Sequence, residues 1–304
     1  SYRAGDSVTF TPSISHYGKE TLSGQLTYTL TVGDETVAEQ RARCSGALTG
    51  KLTTLASGSL SCPMVSRPCR ATLRISLSTA DSTYSNSWDT YIFPTRIAPE
   101  SEWPIYVDDY ALRIFPTAWN VRPLSELTGE YPVQAVYAVA NASIRIGDAV
   151  SRGAGLLLLD ASQFFPVQAI HYKTTWWKAG DNEVDNNLGT YVYANELVNE
   201  VTDHRICGPA WMTLLDGARK YSLEDRDGQP EVIIRALTSV VRLHDTAVLF
   251  EFGYRRGKVV VDGLNHGADV TAPLSRWLLA RIVDELSSSR KAKVLWDDIP
   301  IASY

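Results

Sequence analysis

Four groups of residues have the types and spacing to do chemistry. Cys207 precedes Gly208-Pro209, and His204 lies three residues before it. A thiol beside an imidazole can act as a nucleophile, because the ring accepts the proton and leaves a thiolate. The same thiol also suits a structural or disulfide role. No Gly-x-Ser-x-Gly or Gly-x-Cys-x-Gly elbow occurs, and Asp160-Ala161-Ser162-Gln163 follows the apolar run where one would fall. Acidic residues are plentiful at Asp108, Asp109, Asp181, Glu183, Asp185 and Asp203. Glycoside hydrolysis needs two carboxyl groups facing each other across a sugar, but solvated surface acids have the same spacing. The run from Gly180 to Asn187 alternates oxygen ligands as a calcium loop does, yet lacks its central Gly and closing Glu. A polar loop is the simpler reading, and no metal is expected. The fourth group is aromatic: Trp176, Trp177, Tyr191, Tyr193 and Trp211. Exposed rings can stack on the apolar face of a pyranose while polar neighbours bond its hydroxyls. Asp181, Asn182 and His171 are placed to supply those bonds. Alternatively the rings cover a sheet edge or pack on a partner. Trp88 and Trp119 read as core or interdomain residues.

The elements that must position these groups fall into two kinds. Residues 1–95 read as β. Gln25 to Val32 alternates apolar and polar residues before a Gly33-Asp34 turn, and Ala71 to Ser78 alternates in the same way. Thr, Val and Tyr suit half-buried pleated surfaces. Clusters of Gly, Ser and Pro break the strands at short intervals, as in an antiparallel immunoglobulin-like β-sandwich. Pro94, Pro99 and Pro104 mark a linker over 96–104. The α/β domain is expected over 105–290, and a tail over 291–304. Val133 to Val139 predicts a strand, Ser143 to Val150 a helix stopped at Gly153, and Leu156 to Leu159 a second buried strand. Strand, helix and strand imply a parallel βαβ unit. Glu231 to Arg235 predicts another strand. Ala247 to Phe252 and Lys258 to Asp262 predict a hairpin, and Leu274 to Leu286 an amphipathic helix. The second domain is thus expected to be a three-layer α/β unit, flavodoxin-like or glutamine-amidotransferase-like.

Composition narrows the function classes. A chain of 304 residues has room for about two domains. Its 44% hydrophobic and 21% charged content is that of a globular protein able to bury a core without disulfides. The net charge of −5 argues against a nucleic-acid binder. No apolar run approaches the ~20 residues of a membrane span. No C-x-x-C occurs, the histidines complete no zinc pattern, and no cofactor is expected. Cys44, Cys62 and Cys69 are candidates for one disulfide, with connectivity open. Asn141-Ala142-Ser143 is a glycosylation sequon compatible with secretion, although Asn141 could instead cap a helix. The chain opens at Ser1 without a leader-like segment, which points to a processed piece or one cut from a longer protein.

Two separated motifs carry a resemblance. Asn86, Trp88 and Phe93-Pro94 close the β segment, and Leu249-Phe250-Glu251 with Gly257-Lys258-Val259-Val260-Val261 lies in the α/β segment. Val8 to Pro12, His16-Tyr17-Gly18 and Leu22-Ser23-Gly24 resemble the opening of the same sandwich. Thr174 to Trp177 and Leu188-Gly189-Thr190 resemble an insert of the same α/β domain. In this order the chain resembles the C-terminal region of a family 2 glycoside hydrolase, the β-galactosidase/β-glucuronidase type. It departs from that pattern at Ala194-Asn195-Glu196 and the single Trp211, where the family has a His-Pro and a tandem Trp. The resemblance implies a catalytic barrel upstream and no catalytic residue here. The expected role is therefore an accessory one, with that barrel or a neighbouring subunit as partner. A glycan-binding module using the insert aromatics, or a hydrolase with unlocated carboxylates, are the alternatives.

Overall fold

The computed structural model describes residues 1–170, 189–202, 205–224, 229–237, 244–297 and 301. They form two compact units, Ser1–Ile97 and Ala98–Tyr304. The fold is mixed and β-rich, with several separate sheets.

The first unit has nine strands. They are β1 (Tyr2–Arg3), β2 (Ser7–Phe10), β3 (Ser13–His16), β4 (Leu22–Val32), β5 (Glu35–Ala47), β6 (Lys51–Thr54), β7 (Gly58–Ser61), β8 (Cys69–Ser78) and β9 (Thr83–Phe93). The main sheet runs β1-β9-β8-β4-β5 and is antiparallel except where β1 joins β9. Pairs β2–β7 and β3–β6 form separate ribbons. The alternation in β4 buries Leu26, Tyr28 and Leu30, which pack with Val8 of β2 and Leu60 of β7. Tyr28 lies edge-on to Phe10 at 5.0 Å and donates its hydroxyl to the Ala56 carbonyl at 2.5 Å. Gly58 admits both rings, since a Cβ there would fall 2.3 Å from Phe10. The Gly33 turn has φ +57°, a conformation open to glycine at little cost. Trp88, expected in a core or between domains, is instead 48% exposed, because β9 is solvent-facing over Thr83–Asp89 and buries Tyr91, Ile92 and Phe93.

The second unit adds β10 (Ile105–Val107), β11 (Val121–Pro123), β12 (Val136–Val139), β13 (Gly155–Leu158), β14 (Val167–Ala169), β15 (Gly189–Val192), β16 (Arg219–Ser222), β17 (Glu231–Leu237), β18 (Thr246–Ala247), β19 (Leu249–Tyr254) and β20 (Gly257–Asp262). Its helices are α1 (Ile144–Arg152), the short α2 (Met212–Leu215) and α3 (Pro273–Ser287). The large sheet runs β11-β10-β12-β13-β20-β19-β17-β15, parallel from β11 to β20 and antiparallel beyond. A small sheet, β14-β16-β18, packs on the same core without joining the large sheet's strand order. The expected βαβ unit is present as β12–α1–β13. Side chains alternate across a sheet, and the alternation here is decisive. Leu156, Leu158, Val259 and Val261 share a cluster with Ile146, Ala149 and Val150 of α1. Gly155 points the other way, where a Cβ would sit 2.7 Å from Leu286 of α3. The helices therefore cover opposite faces, so the strands between them read as continuous apolar runs. Ser143 Oγ accepts from Ile146 N at 3.4 Å and caps α1, so Asn141 is not the cap; Gly153, at φ +129°, ends the helix.

Two sequence expectations need correction, and two short strands were not anticipated. All four cysteines are free, so no disulfide joins Cys44, Cys62 and Cys69. Cys44 instead directs its Sγ to the Leu22 carbonyl at 3.7 Å, and the thiols pack as small apolar groups in the core. Strands β10 and β11 were not evident as strands, being short and Pro-flanked. Residues 294–296 do not trail as a tail: Gly253 N donates to Val294 O at 2.7 Å, and Trp296 N to Gly253 O at 2.8 Å.

Gly257 is a point of very close approach between strand and helix. A Cβ there would lie 2.2 Å from Val150 O and 2.4 Å from Ala154 O. Gly257→Ala is expected to destabilise the second unit by about 1–3 kcal/mol. Urea denaturation followed by tryptophan fluorescence checks this, and an unchanged midpoint would contradict the packing argument.

Candidate functional site

The predicted aromatic site is brought together only in part. Trp176, Trp177, Asp181, Asn182 and His171 lie outside the described residues, as do the calcium-like loop, Asp203 and His204. Tyr191 lies on β15 and Tyr193 just beyond it, their rings 4.9 Å apart and steeply inclined. Tyr193 is 38% exposed. Strand pairing sets Tyr191 opposite Arg235, whose guanidinium lies 6.0 Å from the Tyr193 ring and pairs with Asp245 at 2.8 Å. Arg205 donates to the Tyr191 hydroxyl at 2.9 Å. These residues form a partly exposed Tyr/Arg cluster on the outermost strand. Trp211 does not belong to it: the ring is fully buried, with Nε1 donating to the Val201 carbonyl at 2.8 Å. A buried indole must satisfy its N–H, and here the satisfied core role replaces the binding role.

Cys207 is a poor nucleophile. Burial pushes its thiol up to about 12, against a small opposing effect of a hydrogen bond with Thr190. A thiol so shifted is protonated at neutral pH. Asn141 is exposed in the bend before α1.

The carboxyl end of the parallel strands holds a constellation that spacing did not reveal. Asp262 ends β20, His266 follows in the next loop, and Ser275 lies in the first turns of α3. His266 Nε2 is 2.8 Å from Asp262 Oδ2, and Nδ1 is 2.8 Å from Ser275 Oγ. The types are those of a hydrolytic triad. Both His266 and Asp262 side chains are sealed at 0% exposure, and Ser275 is buried at 1%. Asp262 Oδ1 also accepts from Leu264 N at 2.9 Å. No substrate reaches a sealed hydroxyl, so the three residues staple the β20–α3 loop. Only the i, i+4 Asp–His spacing was available as a signal in the sequence.

The neighbouring strand ends are likewise occupied. The chain order reverses between β10 and β12, where open α/β sheets leave a crevice for ligands. Asp108 spans that point, accepting from Ala111 N at 2.9 Å and Ala140 N at 2.7 Å. Asp160, after β13, accepts from Ser162 N at 2.9 Å and lies 3.7 Å from Arg219.

One carboxylate pair has the electrostatics of acid–base chemistry. Glu231 and Glu251 are cross-strand partners on β17 and β19. Burial, with Glu231 and Glu285 nearby, pushes Glu251 up to about 7, against the opposing pull of Arg290 and Lys258. Glu231 accepts from Asn195 Nδ2 at 3.0 Å and from Lys293. Glu251 is only 5% exposed, which removes it from contact with a sugar. Among the described residues, no group of three or more His, Cys, Asp or Glu is arranged to hold a metal. No helix there is long and apolar enough to cross a membrane.

Fold and polar clusters together define a two-unit, β-rich chain with its acid–base groups turned inward. Residues 6–94 match one domain of unknown function (DUF8488), and residues 138–293 match another (DUF8487). The second match covers half of the chain, and the chain belongs to that family. No curated protein matches it. A crystal structure of Parabacteroides merdae β-glucuronidase aligns over 34% of this chain and 15% of its own, at 14% identity and a TM-score of 0.22.

His266→Ala is expected to cost about 3–5 kcal/mol, because it leaves Asp262 buried without its partner. Ser275→Ala should cost only about 1–2 kcal/mol. Chemical denaturation of both variants checks the ordering, and equal small losses would argue against the staple. Glu251 yields a pH dependence. Its folded value of about 7 lies above the ordinary 4.5, so folding takes up a proton. Its contribution is therefore fully present below pH 4.5 and falls away as pH rises through 7. Glu251→Gln should flatten stability measured from pH 5 to pH 8.

Proposed function

We propose that this chain is a non-catalytic accessory region of a family 2 glycoside hydrolase-like protein, docking on a catalytic barrel or a neighbouring subunit. The observation that carries the reading is the outer strand β9. It exposes Trp88 and Tyr84 at 48% and 50%, and β1 pairs only with its last residues, Ile92 and Phe93. An unprotected edge bearing large aromatics is a surface built to be covered. Trp88 also belongs to the motif, with Asn86 and Phe93-Pro94, on which the resemblance rests. In this reading the first unit is an immunoglobulin-like sandwich and the second a flavodoxin-like domain. The strand order β11-β10-β12-β13-β20 with helices on opposite faces supports the latter. The sealed state of Asp262, His266, Ser275 and Glu251 supports the absence of catalysis. The exposed sequon at Asn141 supports secretion.

A second reading, a glycan-binding module, is favoured by Tyr193. Its exposed ring, with Tyr191, Arg205 and Arg235 around it, offers an apolar face ringed by donors.

Two measurements on the isolated chain separate these readings. Aryl β-galactoside and aryl β-glucuronide should not be hydrolysed above the buffer rate, and turnover would overturn the non-catalytic assignment. Calorimetry against a glycan panel decides the second reading. Saturable binding weakened about tenfold by Tyr193→Ala, equivalent to ~1.4 kcal/mol, would establish it, whereas no binding leaves docking as the function.

A further inference from the structure

The end of the sheet opposite the sealed acids is open and positively charged. At the amino ends of β13 and β20 lies a cavity of about 530 Å³, a size typical of small-molecule sites. Trp103 forms one wall. Arg255 and Arg256 reach it from the β19–β20 turn, Lys258 from β20, and Arg290 and Lys291 from the segment after α3. None of the described residues lining the cavity is acidic, although Glu285, Glu196 and Asp297 approach some of these cations from outside the lining.

Two of the five are already engaged. Lys258 Nζ donates to Glu285 Oε1 at 3.0 Å, to Ser288 Oγ at 2.7 Å and to the Glu285 carbonyl. It thereby caps the C-terminus of α3 and cancels the partial negative charge that would repel an anion. Arg290 is held between Glu285 at 3.0 Å and Glu196 at 2.8 Å. The side chains of the other three form no ion pair among the described residues. Arg256 and Lys291 are exposed. Arg255 lies over the Tyr254 ring at 5.8 Å, and its backbone N–H donates to Asp297 at 2.7 Å.

The hollow is preformed by backbone. Gly253 allows the 294–296 segment to pair against it, since a Cβ there would meet Leu295 at 2.7 Å. The turn itself is unusual. Two-residue hairpin turns favour Asn or Gly where φ is positive, yet Arg255 holds φ +52°. A long cation kept in a strained position points to a use for it.

We propose that this cavity binds a small organic anion carrying a tetrahedral oxyanion, as a phosphate or sulfate ester does. Arg255, Arg256 and Lys291 contact the oxyanion, and Trp103 lies against the remainder of the ligand. Three cations approaching from two elements, the β19–β20 turn and the segment after α3, match a group with three or four acceptor oxygens better than a planar carboxylate. This site shares no residue with the docking edge on β9 or with the Tyr193 cluster, so its test is independent of both.

The test is calorimetry of the full chain at low salt against inorganic phosphate, glucose 6-phosphate, glucose 6-sulfate and glucose. At least one ester should bind, glucose should not, and affinity should fall as salt rises. Binding of one ester alone assigns the source of the oxyanion. The double substitution Arg256→Gln/Lys291→Gln should weaken binding at least tenfold with an unchanged melting temperature. Lys51→Gln, which removes a cation from the first unit, should not weaken it. Esters that bind no better than glucose, or equally well to the double variant, would overturn the site.

Discussion

Everything in the second unit depends on how closely two helices approach the same pair of strands. Gly155 lets α3 settle on one face, and Gly257 lets the end of α1 settle on the other. With both faces covered, β12, β13 and β20 carry apolar side chains apart from Tyr137, whose hydroxyl donates to the Pro132 carbonyl, and from Lys258 and Asp262 near the ends of β20. Polar chemistry is thereby driven to the two ends of the sheet. The carboxyl end collects Asp108, Asp160 and Asp262, and the amino end collects Arg255, Arg256 and Lys258.

The two ends handle charge differently. At the carboxyl end each acid is bound to nearby backbone N–H groups or to a buried partner, which ties down a loop. A buried polar group must be satisfied, and Asp262 with His266 is satisfied by partners that no substrate reaches. At the amino end only Lys258 and Arg290 are consumed, and the remaining cations face open space. The position that open α/β sheets reserve for ligands is thus filled by structure, while the opposite end is open.

Much of this was legible in the sequence where period and punctuation agreed. The alternation in residues 25–32, the apolar run at 156–159, and the helical spacing of 274–286 each became the expected element. Gly153 stopped the helix it was expected to stop. Short elements were harder. Residues 105–107 and 121–123 lie between prolines and carry too few residues to show a period. The site was less legible than the fold. Trp211 and Tyr193 look alike as aromatics in one insert, but only the three-dimensional packing buries the first and exposes the second. The same holds for Trp88, whose strand is buried only at its final residues. Asp262, His266 and Ser275 are spread over fourteen positions, and nothing in their spacing announces that a loop folds back to join them.

The pairing of residues 294–296 with Gly253 has a consequence for how the chain acquires its shape during synthesis. Trp296 packs against Phe165 and Phe252, with ring centroids 5.7 and 5.4 Å apart, and Ile301 is fully buried in the same cluster. Strands β12 and β13 leave the ribosome more than a hundred residues before this segment, at a pace of roughly 5–20 residues per second. For several seconds the nascent sheet holds Phe165 and Phe252 without their cover. The first unit closes over Tyr28 and Phe10 from residues within its own 97 positions and has no such wait. Within these two units the exposed interval therefore falls in the second, where sticky aromatic surface stands open to chaperones or to other nascent chains until residues 294–301 arrive.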